Sequence, residues 1–373
     1  MEALRIAFVY DVVYPWVKGG VEKRIYELAV RLAKAHEVHV YGYRLWEGED
    51  EIEREGIHYH GTVKVKRNSL YSGSRRSILP PLLHSLSLVS RLRDERFDVV
   101  DCQASPYLPA YSLRLLNVEN VFITWHEFWG DYWFEYLGSI GFAGREVEKG
   151  LFSFKRHISV SQKTMLDLLN AGLRKPVYLV PNGIDFNLIR SVSPSQLESD
   201  FLFVGRLIPE KGVDFLLRAL ALLKEEFPDF EAVIAGDGPE RERLERLAQE
   251  LGIGNNVTFT GFLKDYGDVI ALMKASKVFA FPSRREGFGI VVLEAMASGS
   301  PVVTVEHPMN ASMHLVENGK TGFVVPLNEE SFAEALLLAR ESSKKLGKIA
   351  ERKAERYDWD EIVRRLLSVY RGG

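Results

Sequence analysis

The feature of this sequence that most restricts its fold is an internal echo. Near the N-terminus an apolar run, Leu4–Tyr10, leads into a loop ending Lys18-Gly19-Gly20-Val21. A segment with apolar Val21, Ile25, Leu28, Ala29 and Leu32 at helical spacing follows, then a second apolar run, Glu37–Tyr43. The second half repeats the order: Phe201–Val204, a loop ending Lys211-Gly212-Val213, a helical face of Val213, Leu216, Leu217, Leu220 and Leu223, and the run Glu231–Ala235. Spacing of three and four marks the helices, and short β-branched runs mark buried parallel strands. Strand–helix–strand connections of this kind are right-handed, so two doubly wound α/β sheets are expected. Further strands are predicted near 97–101, 121–124, 157–160 and 177–180, and near 257–261, 278–281, 301–305 and 322–325. Helices are predicted to close the chain at about 330–345 and 358–371. The Ser191, Ser193, Pro194, Ser195 cluster places the domain boundary within 183–198.

Length and charge agree with this division. The 373 residues exceed one ordinary core, and two domains are the natural expectation. A net charge of −3 gives no footprint for nucleic acid. The single cysteine, Cys102, excludes a disulfide framework and a cysteine-based metal site, and is read as a small buried core residue. The chain opens directly into a strand, so no signal peptide is expected. No run reaches the ~18 apolar residues of a membrane span. The expected compartment is the cytoplasm, and abundant Lys, Glu and Arg point weakly to a thermophile.

Two loops carry candidate chemistry. Val204–Gly212 leaves a strand and enters a helix, whose N-terminus offers free N–H groups and partial positive charge. Arg206 and Lys211 add cations there, a combination suited to a diphosphate; the same spacing also describes a solvated surface loop. In Ser283–Met296, Gly287 and Gly289 admit close backbone approach. Glu286 precedes them and Glu294 follows eight residues later. Carboxylates accept hydrogen bonds in pairs, as vicinal sugar hydroxyls require, although two solvated glutamates fit the spacing too. Ile290–Leu293 reads as helix or strand, and Gly299 with Pro301 supports a helix ending there.

The second loop resembles the E-x7-E signature of retaining glycosyltransferases of glycosyltransferase family 4, which have the GT-B fold. Gly19-Gly20-Val21-Glu22, Pro181-Asn182-Gly183-Ile184-Asp185, Val204–Gly212, Ala235–Arg241, Thr260-Gly261-Phe262 and Asn318–Gly322 are similar to further motifs of that family, in order along the chain. The resemblance implies two Rossmann-like domains facing across a cleft that holds the active site. Residues 1–188, with a returning helix at about 357–373, would form the acceptor-side domain. Residues 189–356 would form the nucleotide-sugar domain.

Site roles follow from the same resemblance. Arg206 and Lys211 bind the donor diphosphate and support its departure. Glu286 contacts the donor sugar, and Glu294 the ribose. Backbone at Gly19, Gly20, Gly205, Gly287, Phe288, Gly289 and Ile290 approaches phosphate or sugar, and Gly261, Phe262 and Leu263 border the base. His126, in Trp125-His126-Glu127, stands near the transferred sugar without acting as a general base. Fixed cations stabilise the leaving group electrostatically, so no metal and no cofactor are expected. The donor is a UDP-, GDP- or ADP-sugar, and retention follows a front-face path.

Some features depart from that pattern or lie outside it. After 301–305 the family's glycine pair is missing; the segment reads His307-Pro308-Met309-Asn310-Ala311-Ser312. Asp358-Trp359-Asp360 mimics a metal-binding D-x-D but is read as a helix N-cap. Glu47–Glu55 is read as a solvated run. Lys64, Lys66, Arg67, Arg75 and Arg76 precede apolar Ile78–Leu83, and Trp125, Phe128, Trp129, Tyr132, Trp133, Phe134 and Tyr136 cluster downstream. Basic and apolar surface together suit a glycan or lipid-linked, phosphate-bearing acceptor and peripheral docking at the inner face of a membrane. Surface loop and interdomain packing are the plainer alternative. The competing functions are a nucleotide-sugar epimerase of the same architecture and a non-catalytic sugar-nucleotide binding protein.

Overall fold

A computed structural model describes residues 2–66, 70–72, 75–77 and 79–372. The chain divides into two compact units. Unit 1 runs to Pro181 and takes the stretch from Ile362 on; unit 2 is Asn182–Glu361.

Unit 1 contains β1 (Arg5–Val9), β2 (Glu37–Arg44), β3 (Glu51–Arg54), β4 (Ile57–Lys64), β5 (Tyr71–Ser72), β6 (Arg75–Arg76), β7 (Val99–Gln103), β8 (Val121–Trp125), β9 (Arg156–Ser159) and β10 (Val177–Leu179). Eight of these form one sheet in the order β10-β9-β8-β7-β1-β2-β4-β3, and β5 pairs with β6 apart from it. The core strands are covered on both faces: Ala7, Val9, Val100, Cys102 and Ile123 on one face and Ile6 and Phe8 on the other are at most 1% exposed. Strands β3 and β4 are not in the sequence reading. The acidic run contributes β3, which pairs antiparallel with β4 and leaves its charged side chains outward. A charged edge strand of this kind resists pairing with other chains; Glu47–Glu55 is solvated as expected, and part of it is also strand. The strand order reverses at β1, which pairs parallel with both neighbours: chain order runs outward on one side through β2 and on the other through β7.

Unit 2 contains β11 (Ser199–Val204), β12 (Ala232–Ala235), β13 (Val257–Gly261), β14 (Ser276–Phe281), β15 (Val302–Val305) and β16 (Gly322–Val325). They form an all-parallel sheet in the order β13-β12-β11-β14-β15-β16. Phe201, Phe203, Phe279 and Phe281 are buried at its centre, where each such ring contributes about 1.5–3 kcal/mol by leaving water. The helix Val213–Leu223 buries Val213, Leu216, Leu217, Leu220 and Leu223, the face its spacing predicts, and adds Phe215 and Ala219. The single helix predicted at 330–345 is two, Glu329–Glu341 and Ser343–Ala354. They meet at Ser342, a residue type that favours helix ends over interiors. At the start of the last helix, Trp359–Tyr370, Asp358 accepts from the Asp360 amide at 2.9 Å and from the Phe186 amide at 3.2 Å. Both carboxylate oxygens are thus used in capping and in tying down the chain.

Candidate active site

In an open α/β sheet, ligands sit beyond the carboxyl ends of the strands where the strand order reverses. In unit 2 that point lies between β11 and β14, and the loops leaving these strands are 205–212 and 282–289. They are the two loops singled out from the sequence.

Close packing joins them. Gly212 caps the helix after β11 with φ +68°, and a Cβ there would stand 2.6 Å from the Pro282 carbonyl oxygen. Only glycine accommodates both the dihedral and the approach. The Arg284 amide donates to the Glu210 carbonyl at 2.8 Å. Lys211 consequently reaches Glu286 and forms an ion pair with it. Their side chains are 17% and 13% exposed, so water screens the pair little. Ser283 Oγ donates to the same Glu286 carboxylate at 3.0 Å, and the Lys211 ammonium stands 5.4 Å from the Phe281 ring centroid. Glu286 also belongs to a ladder: its amide donates to Met309 O and its carbonyl accepts from the Ala311 amide, both at 2.9 Å.

The open question over Ile290–Leu293 resolves as helix, Ile290–Ala297, with Gly289 at its N-cap in the left-handed region, φ +92°. A Cβ on Gly289 would meet Ser312 Cβ at 2.5 Å. Glu294 lies in the second turn, is nearly buried, and accepts from Tyr266 OH at 2.8 Å. The Phe288 ring is buried in the core, leaving its backbone as the part available to a ligand.

Arg206 is exposed and forms no hydrogen bond or ion pair among the described residues. With Gly205, Gly236, Asp237, Phe262, Leu263 and Val269 it lines a cavity of about 240 Å³ whose walls are chiefly apolar. Phe262 is 72% exposed, a ring presented rather than packed. Loop 205–212 thus carries Arg206 on the cavity and Lys211 on the Glu286 pair. The helix Tyr266–Ala275 links the cavity, through Val269, to Glu294, through Tyr266. Gly261, with φ +75°, accepts from the Gly236 amide at 2.9 Å and so belongs to the same wall.

The remaining expected residues belong to unit 1. Gly19 and Gly20 open the helix Gly20–Leu32, and a Cβ on Gly20 would meet nothing within 4 Å. The protein itself does not require a glycine there. His126 follows β8, is half-buried, and bonds through Nε2 to Gln103 Oε1 at 2.8 Å. Burial pushes its pKa down to about 3, and the charge of Arg24 adds to the effect. Sequence reasoning missed several partners: Ser283 and Tyr266, which hold the two glutamates; Asn310, fully buried, whose amide nitrogen donates to Thr304 and Val305 while its oxygen accepts from Ser312; and Asp101 with Gln103 at the end of β7. An acid within an otherwise apolar strand was the available signal for Asp101.

Of the acceptor-side residues, Arg67 and Ile78, and the side chains of Arg75 and Arg76, lie outside the described residues. In the helix Leu79–Leu92, Leu79, Leu82, Leu83 and Leu86 are 61%, 42%, 42% and 60% exposed, while the inner face holds Pro81, His84, Ser85, Leu88 and Leu92. Among the described residues no helix is long and apolar enough to cross a membrane, and no cluster of histidine, cysteine and acidic residues has metal-binding geometry.

Comparison with known proteins agrees with this geometry. Residues 186–356 match the family Glycosyl transferases group 1, and residues 18–188 match Glycosyltransferase Family 4. The chain belongs to this glycosyltransferase family. An uncharacterised glycosyltransferase of Methanocaldococcus jannaschii is 36% identical over 191 residues, 50% of this chain and 48% of that protein. A phosphatidyl-myo-inositol mannosyltransferase of Mycobacterium leprae is 33% identical over 204 residues, 51% of this chain and 52% of that protein. The chain spans about half the length of the curated relatives it matches. Anabaena Alr3699/HepE, solved in complex with UDP-glucose, superposes with a TM-score of 0.73 at 21% identity over 99% of this chain and 100% of that one. The two parallel-sheet units are those of the GT-B fold.

Proposed function

We propose that the protein transfers a sugar, with retention of configuration, from a nucleotide-sugar donor to an acceptor. The observation that carries this reading is the meeting of Lys211 with Glu286, and of Arg206 with the cavity, where the strand order of unit 2 reverses. Lys211 is charge-balanced by Glu286 before any ligand arrives. A diphosphate offers the ammonium a second anionic partner and leaves Glu286 available to sugar hydroxyls. Arg206, with no partner to give up, takes the other phosphate. Negative charge growing on the departing nucleoside diphosphate then meets cations already in place, the situation in which electrostatic stabilisation is largest. Glu294, held by Tyr266, receives the ribose. The cavity beside Phe262 takes the base, and the UDP-glucose bound by the Anabaena homologue supports a UDP-sugar as the first donor to test.

Thermal-shift measurements against UDP-, GDP- and ADP-sugars test the reading, because a ligand that binds only the folded state stabilises it by mass action. A stabilising donor that is hydrolysed slowly, with hydrolysis lost in Glu286→Ala and Lys211→Ala, is the expected result. Binding without turnover would instead indicate a sensor, and donor interconversion without acceptor an epimerase.

A lipid-linked acceptor, taken up by an enzyme resting on anionic membrane, is the acceptor class we favour. The outward leucines of 79–92, the basic Lys64 and Lys66 before them, and the lipid named in the Mycobacterium relative support it. Flotation with anionic vesicles should fall severalfold in Leu82→Ser/Leu86→Ser. Equal flotation of variant and wild type would remove the membrane part of the proposal.

A further inference from the structure

The family resemblance places His126 near the transferred sugar and gives it no further role, yet a buried chain of polar groups leads to it. Tyr370 OH, on the last helix, donates to Asp101 Oδ2 at 2.6 Å. Asp101 Oδ1 accepts from Thr124 Oγ1 at 2.6 Å and from Gln103 Nε2 at 2.9 Å. Gln103 Oε1 faces His126 Nε2 at 2.8 Å. Asp101, Gln103 and Thr124 are 2%, 2% and 1% exposed. Arg24, also buried, is fixed beside them by bonds from its guanidinium to Pro181 O at 2.6 Å and Val180 O at 2.9 Å.

The direction of each bond follows from its neighbours. The Asp101 oxygen is an acceptor, so Gln103 must present its amide NH2 there and its carbonyl oxygen to the histidine. A carbonyl oxygen requires a proton on the facing ring nitrogen. His126 therefore carries its hydrogen on Nε2, and Nδ1 holds a lone pair with no partner among the described residues. A second proton would place an imidazolium near the fixed guanidinium of Arg24, which burial and charge both oppose. The ring is consequently neutral and of one tautomer, able to accept a hydrogen bond at Nδ1 but not to donate one there.

We propose that Gln103, Asp101 and Tyr370 are positioning residues that hold His126 as the Nε2–H tautomer, so that Nδ1 accepts a hydrogen bond from a substrate hydroxyl. The tautomer stands on the hydrogen-bond geometry; its use on a hydroxyl rests on the glycosyltransferase reading. The two parts are separated by measuring both. Long-range proton–nitrogen correlation spectra of the histidine-labelled full chain, with the His126 signals assigned by their loss in His126→Asn, should show a neutral ring protonated at Nε2 from pH 5 to 8. A ring protonated at Nδ1, or at both nitrogens, in that range would overturn the proposal without touching the donor reading.

Gln103→Met removes the link at similar length. The His126 signals should then report mixed tautomers, with kcat for transfer about tenfold lower and donor KM within about twofold, the loss of one ordinary hydrogen bond. Gln103→Glu, whose protonated carboxyl can still donate to Asp101 and accept from His126, should keep the tautomer and most of the rate. Equal rates in Gln103→Met and wild type, despite a scrambled tautomer, would overturn the role on substrate. Absence of transfer by the wild-type chain with every donor would count against the proposed function, while the spectra still decide the tautomer.

Discussion

The two sheets share a layout and differ in how they treat charge at the carboxyl ends of their strands. Unit 2 gathers full charges of opposite sign, Lys211 with Glu286, and leaves Arg206 in solvent. Unit 1 buries a relay in which Asp101 accepts from three neutral donors and passes orientation outward through Gln103. A diphosphate needs formal charge, and a cation kept near a removable partner remains available to it. A sugar hydroxyl needs a directed acceptor, and direction comes from a network with every member satisfied.

Breaking the charged pair should have the largest effect. Lys211→Ala is expected to lower the turnover of donor by roughly 10²–10³-fold, the loss typical of a group that stabilises developing charge. It also leaves Glu286 without its counter-ion and should lower unfolding free energy by about 1–3 kcal/mol. Lys211→Met/Glu286→Gln should recover the stability in a urea titration and none of the rate. Recovery of both would show the pair to be structural. Arg206→Ala should lower kcat/KM by roughly 10- to 100-fold, with stability within about 0.5 kcal/mol of wild type because the side chain has nothing to lose in the ligand-free fold.

The pH dependence of stability should set unit 1 apart. Burial lowers the pKa of His84 and His126 to about 3 and of His157 to about 4, all in unit 1. Between those values and the ordinary histidine range near 6.5, the unfolded chain binds more protons than the folded one, so stability falls as pH falls. His84, fully buried, should alone account for about 1 kcal/mol between pH 6.5 and 5.5, since the unfolded histidine is already half-protonated at the upper limit. Tryptophan fluorescence reports the effect, because Trp16, Trp46, Trp125, Trp129 and Trp133 lie in unit 1 and Trp359 in unit 2. A urea midpoint unchanged from pH 7 to 5.5 would contradict it. The smallest effect is expected at the cavity rim. Phe262→Ala should raise donor KM by roughly two- to tenfold through lost stacking and leave kcat unchanged.

Much of this architecture could be read along the chain, and the exceptions share a cause. Strands β1, β8, β11, β12, β14 and β15 carry apolar runs because both of their faces are covered. Strand β3, charged and at an edge, has no such run. Strand β4 alternates histidines with apolar residues, so it has no continuous apolar run, and its period-two pattern was not used. The helix at 79–92 turns leucines outward and His84 inward, opposite to the rule by which a single sequence is read. The glutamates at 286 and 294 were visible as a spaced pair, but their partners Ser283 and Tyr266 were not, since a hydroxyl in a loop or a helix is common everywhere.

By itself the sequence determined the alternation of strand and helix, the two-fold repeat of that plan, and the glycines at which backbone must bend or pack closely. Those properties are local: periodicity records which face of an element leaves water, and a left-handed dihedral is a demand on one residue. Only the tertiary structure decided that Lys211 meets Glu286, 75 residues on, and that Tyr370 reaches Asp101 across 269. Partners of that kind are chosen by strand order and by the burial that makes an unpaired polar group costly. Neither leaves a mark in the residues between.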